Sequence, residues 1–131
     1  QDQTNTKEAL AALQTVVTIF PGTAYAKDAQ VKIDLAHDHL AAHEMSIGRF
    51  YQHRGHLPAA LRRYSQVIEN YDTTPQIAEA LFRMVEIFYH MGLHTDAERY
   101  AAILGYNYPN SNWYKLSYNL LKTTLYDENP Y

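Results

Sequence analysis

The sequence has no cysteine, which excludes thiol catalysis, thiolate metal sites and disulfide frameworks and leaves the redox compartment unmarked. No run of eighteen apolar residues occurs, so no segment reads as a membrane-spanning helix. Residues Gln1 to Thr6 lack the charged and apolar regions of a signal peptide. Glycine and proline number only five each, and most fall at a few breaks, leaving the stretches between them clear of helix breakers. Charge of either sign is sparse in sum: the net charge of −3 and pI near 6.1 give no global pull toward nucleic acid or an anionic membrane. A glycine-rich phosphate loop, a serine nucleophile motif and an acid pair spaced for a shared site are also missing, which argues against an enzyme. At 131 residues the chain is long enough for one domain with a continuous core and too short for two ordinary ones.

What is present is a repeated punctuation. Phe20-Pro21-Thr23, Tyr71-Asp72-Thr74 and Tyr108-Pro109-Ser111 each carry an aromatic, then Pro or Asp, then a hydroxyl residue, and each marks one helix ending and the next beginning. Upstream of each mark sits a small residue with apolar residues four and seven later: Ala9, Leu13, Val16; Ala60, Tyr64, Val67; Ala97, Ala101, Leu104. Measured from Gly55 and Gly92, the triplet Ile47, Gly48, Tyr51 aligns with Met84, Val85, Phe88. This is the small/large order of a tetratricopeptide helix pair. The fold class expected is therefore all-α: a tetratricopeptide-type helical repeat, or α-solenoid, of five to six antiparallel helices whose work is binding.

Along the chain, Asn5 with Glu8 reads as a capping box opening a helix at 6–20. Thr23 caps a second, in which Ala29, Ile33, Ala36, Leu40, Ile47 and Phe50/Tyr51 keep a three-four spacing. One long helix near 24–54 follows, with a bend or short break expected near Ala41 to His43, where the stripe turns polar. Gly55 stops it, and Pro58 suits the first turn of the helix running to Tyr71. Thr74-Pro75 repeats the device before helix 76–91, and Thr95 with Glu98 reads as a capping box for helix 95–107. Asn110 or Ser111 starts a last helix bearing Trp113, Leu116, Leu120 and Leu121. Residues 1–122 form a single domain, and 123–131 are expected to fray. Because the first copy lacks its front helix, the sequence is expected to be the carboxy-terminal part of a longer protein.

Specific residues carry a resemblance as well. Tyr25-Ala26 with Asp28-Ala29, His43-Glu44 leading into Phe50-Tyr51, Arg54-Gly55, Ala59-Ala60, Arg63 and the ending Asn107-Tyr108-Pro109-Asn110-Ser111-Asn112-Trp113-Tyr114 together resemble the carboxy-terminal repeats of the BamD (ComL-like) lipoprotein family, over residues 9–121. The resemblance implies a lipoprotein on the periplasmic side of the bacterial outer membrane, held through a lipid anchor upstream of this chain. It implies service in the machinery that inserts β-barrel proteins, with the carboxy-terminal repeats docking on the last POTRA domain of BamA beside the other lipoproteins of the complex. Asp72 departs from the usual Pro, and the amino-terminal repeats associated with targeting signals are missing, so substrate recognition is not carried over.

The candidate site is a local basic region. Between Glu44 and Glu69 lie Arg49, Arg54, Arg62 and Arg63 with His53 and His56, and no carboxylate. Arginine's planar fork suits carboxylates at an interface, so Arg63, Arg54, Arg49, Arg62 and His56 are the partner-binding candidates, Arg63 and Arg54 matching family positions. The bland reading has Arg54 meeting the negative end of the long helix, Arg62 solvated, and Glu44 pairing internally with one of the arginines. A second reading is a groove receptor for an extended peptide such as a barrel-protein targeting signal, in which Arg49 and Arg83 hold a terminal carboxylate. A metal enzyme is weakest: His39 and His43 stand four apart with His37, Asp38 and Glu44 close by, but no third ligand shares their face and a solvated histidine surface explains the pattern. No metal, cofactor or nucleic-acid partner is expected. His90 and His94 read as a helix end and a loop. Tyr51, Tyr64, Tyr71 and Tyr108 read as packing, Tyr89, Tyr100 and Tyr106 as less constrained, and Trp113-Tyr114 as covering the last pair's core.

Overall fold

Each of the three punctuation marks closes a helix by the same device. In a computed structural model that describes residues 3–128, the hydroxyls of Thr23, Thr74 and Ser111 donate to the carbonyls of Phe20, Tyr71 and Tyr108 at 2.7, 2.7 and 2.9 Å. The backbone N–H of each hydroxyl residue turns back to the same carbonyl. The hydroxyl thus occupies an acceptor that the ending helix leaves open. Thr23 and Ser111 also accept from the amides of Ala26 and Tyr114, both at 3.1 Å, and so cap the following helices.

Six helices result among the described residues: α1 Thr4–Ile19, α2 Ala24–His53, α3 Leu57–Asn70, α4 Ile77–His90, α5 His94–Asn107 and α6 Asn112–Glu128. Each packs on the next, and α6 folds back onto α4 as well as α5. The all-α repeat architecture read from the sequence is the one observed. The expected frayed segment at 123–131 falls on side chains, and at 129–131 on backbone, outside the described residues.

Several local expectations are corrected. No break occurs at Ala41 to His43, where α2 runs on unbroken: Ala41 and Met45 are fully buried there and the apolar row shifts round the helix instead of ending. The Asn5–Glu8 and Thr95–Glu98 capping boxes do not form: α1 and α5 begin earlier, after Gln3 and Leu93, and neither has a side-chain cap. Residue His94 consequently opens α5 instead of lying in a loop. Thr74 closes α3 but does not cap α4, which starts after Gln76 without a side-chain cap.

Gly55 and Gly92 sit at φ +77, where a side chain would be strained. Each allows a double closure of the preceding helix: His56 and Leu93 donate to the carbonyls of Tyr51 and Phe88 at 2.9 and 2.8 Å, and the glycines donate to Gln52 and Tyr89, both at 3.0 Å.

The core begins where α2, α3 and α4 meet, with Ala41, Met45, Ala60, Tyr64, Val67, Ala80, Met84 and Ile87. Size complementarity sets the helix pairing. A Cβ on Gly48 would stand 2.6 Å from the Tyr64 ring, so only glycine admits that tyrosine. In the next repeat the sizes are exchanged: Val85, equivalent to Gly48, packs in a cluster with Ala101, equivalent to Tyr64. The close approach recurs between Gly105 and Tyr114, which seats α6. Trp113 lies 5.6 Å from Phe82, so Trp113 and Tyr114 cover the last pair's core as read from sequence. Tyr100 departs from expectation: it stacks on Phe88 at 5.5 Å and packs against all three core clusters, whereas Tyr106 is 89% exposed. On α1 the repeat-equivalent positions Ala9, Leu13 and Val16 are exposed or half-buried, because α2 is the one described helix packed against it.

Candidate functional site

Arginines close together in sequence point to different places once they stand on a helix, since one residue turns the direction by 100°. The basic region therefore divides into three parts. The first is a groove of about 540 Å³ lined by Arg49, Gln52, His53, Leu57, Arg83, Glu86, Ile87 and His90. Here α2 and α4 bring Arg49 and Arg83 together as the groove reading expected, but around carboxylates of the protein itself. Arg49 Nη1 donates to both oxygens of Glu79 at 3.0 Å. Arg83 donates from Nε to Glu79 at 3.1 Å and from Nη1 to Glu86 at 3.0 Å. Gln52 donates to Glu86 and accepts from the Tyr64 hydroxyl, both at 2.7 Å.

This chain of contacts has balanced charge: two guanidiniums, two carboxylates and neutral links. Burial pulls the Arg83 guanidinium down, but the hydrogen bonds it donates to Glu86 and Glu79, with their charges, outweigh it and hold Arg83 above the usual arginine range. Arg83 also lies 5.5 Å from the Phe82 ring centroid and 5.4 Å from that of Trp113. Burial pushes the Tyr64 hydroxyl up to about 12.

The second part is the seam between α2 and α3. Arg63 Nη1 donates to Glu44 at 3.2 Å, so Glu44 does pair internally. The Arg63 side chain stays half-exposed in this pair. Burial, and secondly the charge of Glu44, raise the Tyr71 hydroxyl above its ordinary value.

The third part is the tip of α2. Arg54 caps the helix and lies 4.7 Å from the Phe50 ring centroid, and the His56 ring meets Tyr51 edge-on at 6.3 Å. Among the described residues no carboxylate pairs with Arg54 or Arg62, in contrast to Arg49, Arg63, Arg83 and Arg99, which pair with Glu79, Glu44, Glu79 and Asp96. Of the five partner-binding candidates, Arg49 is thus drawn into the groove between α2 and α4, while Arg63 lies at the α2–α3 seam and Arg54 and His56 at the tip of α2. No three His, Asp or Glu side chains among the described residues converge to hold a metal ion, and no described helix is long and apolar enough to cross a membrane.

Sequence reasoning missed Glu79, Glu86 and Gln52. Arg83 with Glu79 and Glu86 shows the (i, i±4) and (i, i+3) spacings of helix pairs, so that half of the network was readable. Arg49 reaches Glu79 across thirty residues, a contact no local spacing announces. Phe50 carried a signal of its own: its equivalent in the next repeat is Ile87, a core residue.

Six helices among the described residues, in antiparallel pairs joined by size-matched close approaches, define a tetratricopeptide-type repeat protein. The match to known sequences makes this more specific. Residues 1–104 match the model of the outer membrane lipoprotein family YfiO, and the chain belongs to that family, whose place is the periplasmic face of the outer membrane. It is 49% identical to an outer membrane protein assembly factor BamD of Rickettsia prowazekii, covering 92% of this chain and 48% of the relative. The BamD of Caulobacter vibrioides is also 49% identical, with 92% and 40% covered; that of Pasteurella multocida is 34% identical, with 82% and 41% covered. The chain therefore spans less than half the length of these curated relatives.

Proposed function

We propose that this chain is the docking half of a non-catalytic adaptor of the β-barrel assembly machinery, which binds the periplasmic POTRA region of BamA during outer membrane protein insertion and stands beside the other lipoproteins of that complex. Support for assembly comes from the relatives, each of which bears the name of an outer membrane protein assembly factor. The observation that carries the docking surface is the set of cations left available by the fold. Arg63 stays half-exposed while paired with Glu44, and Arg54 and Arg62 have no carboxylate partner among the described residues. Such groups steer and orient an acidic partner surface. His56 lies at the same end of the α2–α3 turn.

The groove reading is less well supported, because Arg49 and Arg83 already hold Glu79 and Glu86, and a ligand carboxylate would have to displace an internal one. Titration of a purified BamA POTRA domain decides between the two. Arg63→Glu is expected to abolish binding while circular dichroism shows unchanged helicity. Binding that survives Arg63→Glu and Arg54→Glu but is lost with Arg49→Ala would overturn the seam reading in favour of the groove.

A further inference from the structure

The ion pair at the α2–α3 seam stands where the next repeat has none. Glu44 and Arg63 precede Leu81 and Tyr100 by the same interval that separates Gly55 from Gly92, so the two pairs occupy equivalent positions. In the second repeat the pair is uncharged and packed: Leu81 is 1% exposed, and Tyr100 lies against the cluster to which Leu81 belongs. A half-exposed ion pair adds little to stability, and apolar residues at such a place often hold two helices together at least as well. Folding therefore does not explain why the first repeat carries a charged pair here.

The pair is also self-contained. Among the described residues neither partner enters another ion pair, whereas Glu79 is shared by Arg49 and Arg83, and Arg83 reaches Glu86 as well. Glu44 is the more buried partner, its side chain 20% exposed against 39% for Arg63. Its backbone is anchored, since Met45 beside it and Ala41 three residues earlier are fully buried. The backbone under Arg63 is equally fixed, because its neighbour Tyr64 is buried against Gly48 and bonded to Gln52. What the core leaves undetermined is the long arginine side chain. Glu44 takes hold of it, with Nη1 3.2 Å from one carboxylate oxygen and 3.5 Å from the other.

We propose that Glu44 is a positioning residue for docking: it orders the Arg63 side chain at the seam, so that a carboxylate of the partner meets a guanidinium already in place. This rests on the docking reading above and names the residue that prepares its main cation. A free arginine side chain loses rotational freedom when a partner fixes it, and an internal bond made beforehand removes part of that loss from binding. One guanidinium can serve two acids, having five N–H donors in a plane. The chain contains such a case, since Arg83 donates from Nε to Glu79 and from Nη1 to Glu86. Arg63 can thus keep Glu44 while it engages a second carboxylate.

The test is a double-mutant cycle on binding of a purified BamA POTRA domain to the whole chain, with wild type, Glu44→Ala, Arg63→Ala and the double variant. Glu44→Ala is expected to weaken binding about fivefold, the scale of one long side chain left to be ordered on association, with the melting temperature near that of wild type. In the Arg63→Ala background the same change should have no effect, because no guanidinium remains to be positioned. Glu44→Gln should recover most of the affinity, since its amide oxygen still accepts from Nη1. A second readout needs no partner: the Arg63 guanidinium signal in 15N NMR, identified by its loss in Arg63→Ala, should show hindered rotation in wild type and free rotation in Glu44→Ala. Tighter binding by Glu44→Ala would overturn the inference by making Glu44 a competitor for Arg63. Unchanged binding, losses that add in the double variant, or a guanidinium signal indifferent to Glu44 would overturn it as well. Failure of the docking reading looks different, as Arg63→Ala would then bind like wild type, and the role of Glu44 would fall with it.

Discussion

Exchanging the two residues of one close approach tests whether size matching sets the register of the stack. Gly48 faces Tyr64 and Val85 sits with Ala101 at the equivalent sites. The variant Gly48→Val/Tyr64→Ala therefore copies the second repeat's solution into the first. Gly48→Val alone places its Cβ 2.6 Å from Tyr64 Cε1 and 2.9 Å from Cδ1. The ring cannot withdraw, being fully buried and tied through its hydroxyl to Gln52. Overpacking of this kind costs about 1–3 kcal/mol, more than the roughly 0.5 kcal/mol that replacing a helical glycine returns. Tyr64→Ala alone opens a cavity worth about 3–5 kcal/mol and leaves the Gln52 carbonyl short of a donor. In the double variant valine occupies part of the space the ring vacates, so the loss should fall short of the sum of the single losses by about 2 kcal/mol. Urea unfolding followed at 222 nm on all four proteins measures this coupling. Additivity within about 0.5 kcal/mol would refute the idea that these pairs are matched by size.

Other outcomes follow from the same contacts. Burial favours neutral Tyr64, so the stability it contributes is complete below the free tyrosine value near 10 and is lost as pH rises toward about 12; denaturant titrations across that window should show a shallower alkaline decline for Tyr64→Phe than for wild type. Arg83→Ala should destabilise by about 2–3 kcal/mol, because it leaves Glu86 with Gln52 alone and Glu79 with Arg49 alone in a half-buried setting; a loss under about 0.5 kcal/mol in thermal melts would contradict the network. Arg63→Gln should change stability by less than about 1 kcal/mol, as expected for a half-exposed pair, so a large drop in melting temperature would show the pair to be structural. Gly55→Ala should cost about 1 kcal/mol from its left-handed backbone alone, since nothing stands within 4 Å of the added methyl.

Much of the helical order could be read from residue spacing because the information is local. Aromatic-to-hydroxyl marks, left-handed glycines and three-four apolar rows act within one or two turns, and the observed helix ends lie within a few residues of the expected ones. The exceptions at Asn5 and Thr95 are also local: a capping box is a weak preference that an earlier helix start can override. Family membership was readable in part for a related reason, as some of the quoted residues, Gly55, Tyr108, Ser111 and Tyr114 among them, occupy turns or a close approach.

The amino acids in order were enough for the helix count, the repeat register and the presence of a basic region, since each depends on neighbours along the chain. Three-dimensional packing was needed to say which cations remain available. Arg49 is neutralised by a carboxylate thirty residues away, Arg63 is held on one edge by Glu44, and Arg54 stacks on a ring. The difference between Phe50, half exposed, and its repeat equivalent Ile87, buried in the core, has the same origin: equivalent spacing along the chain meets different neighbours in space.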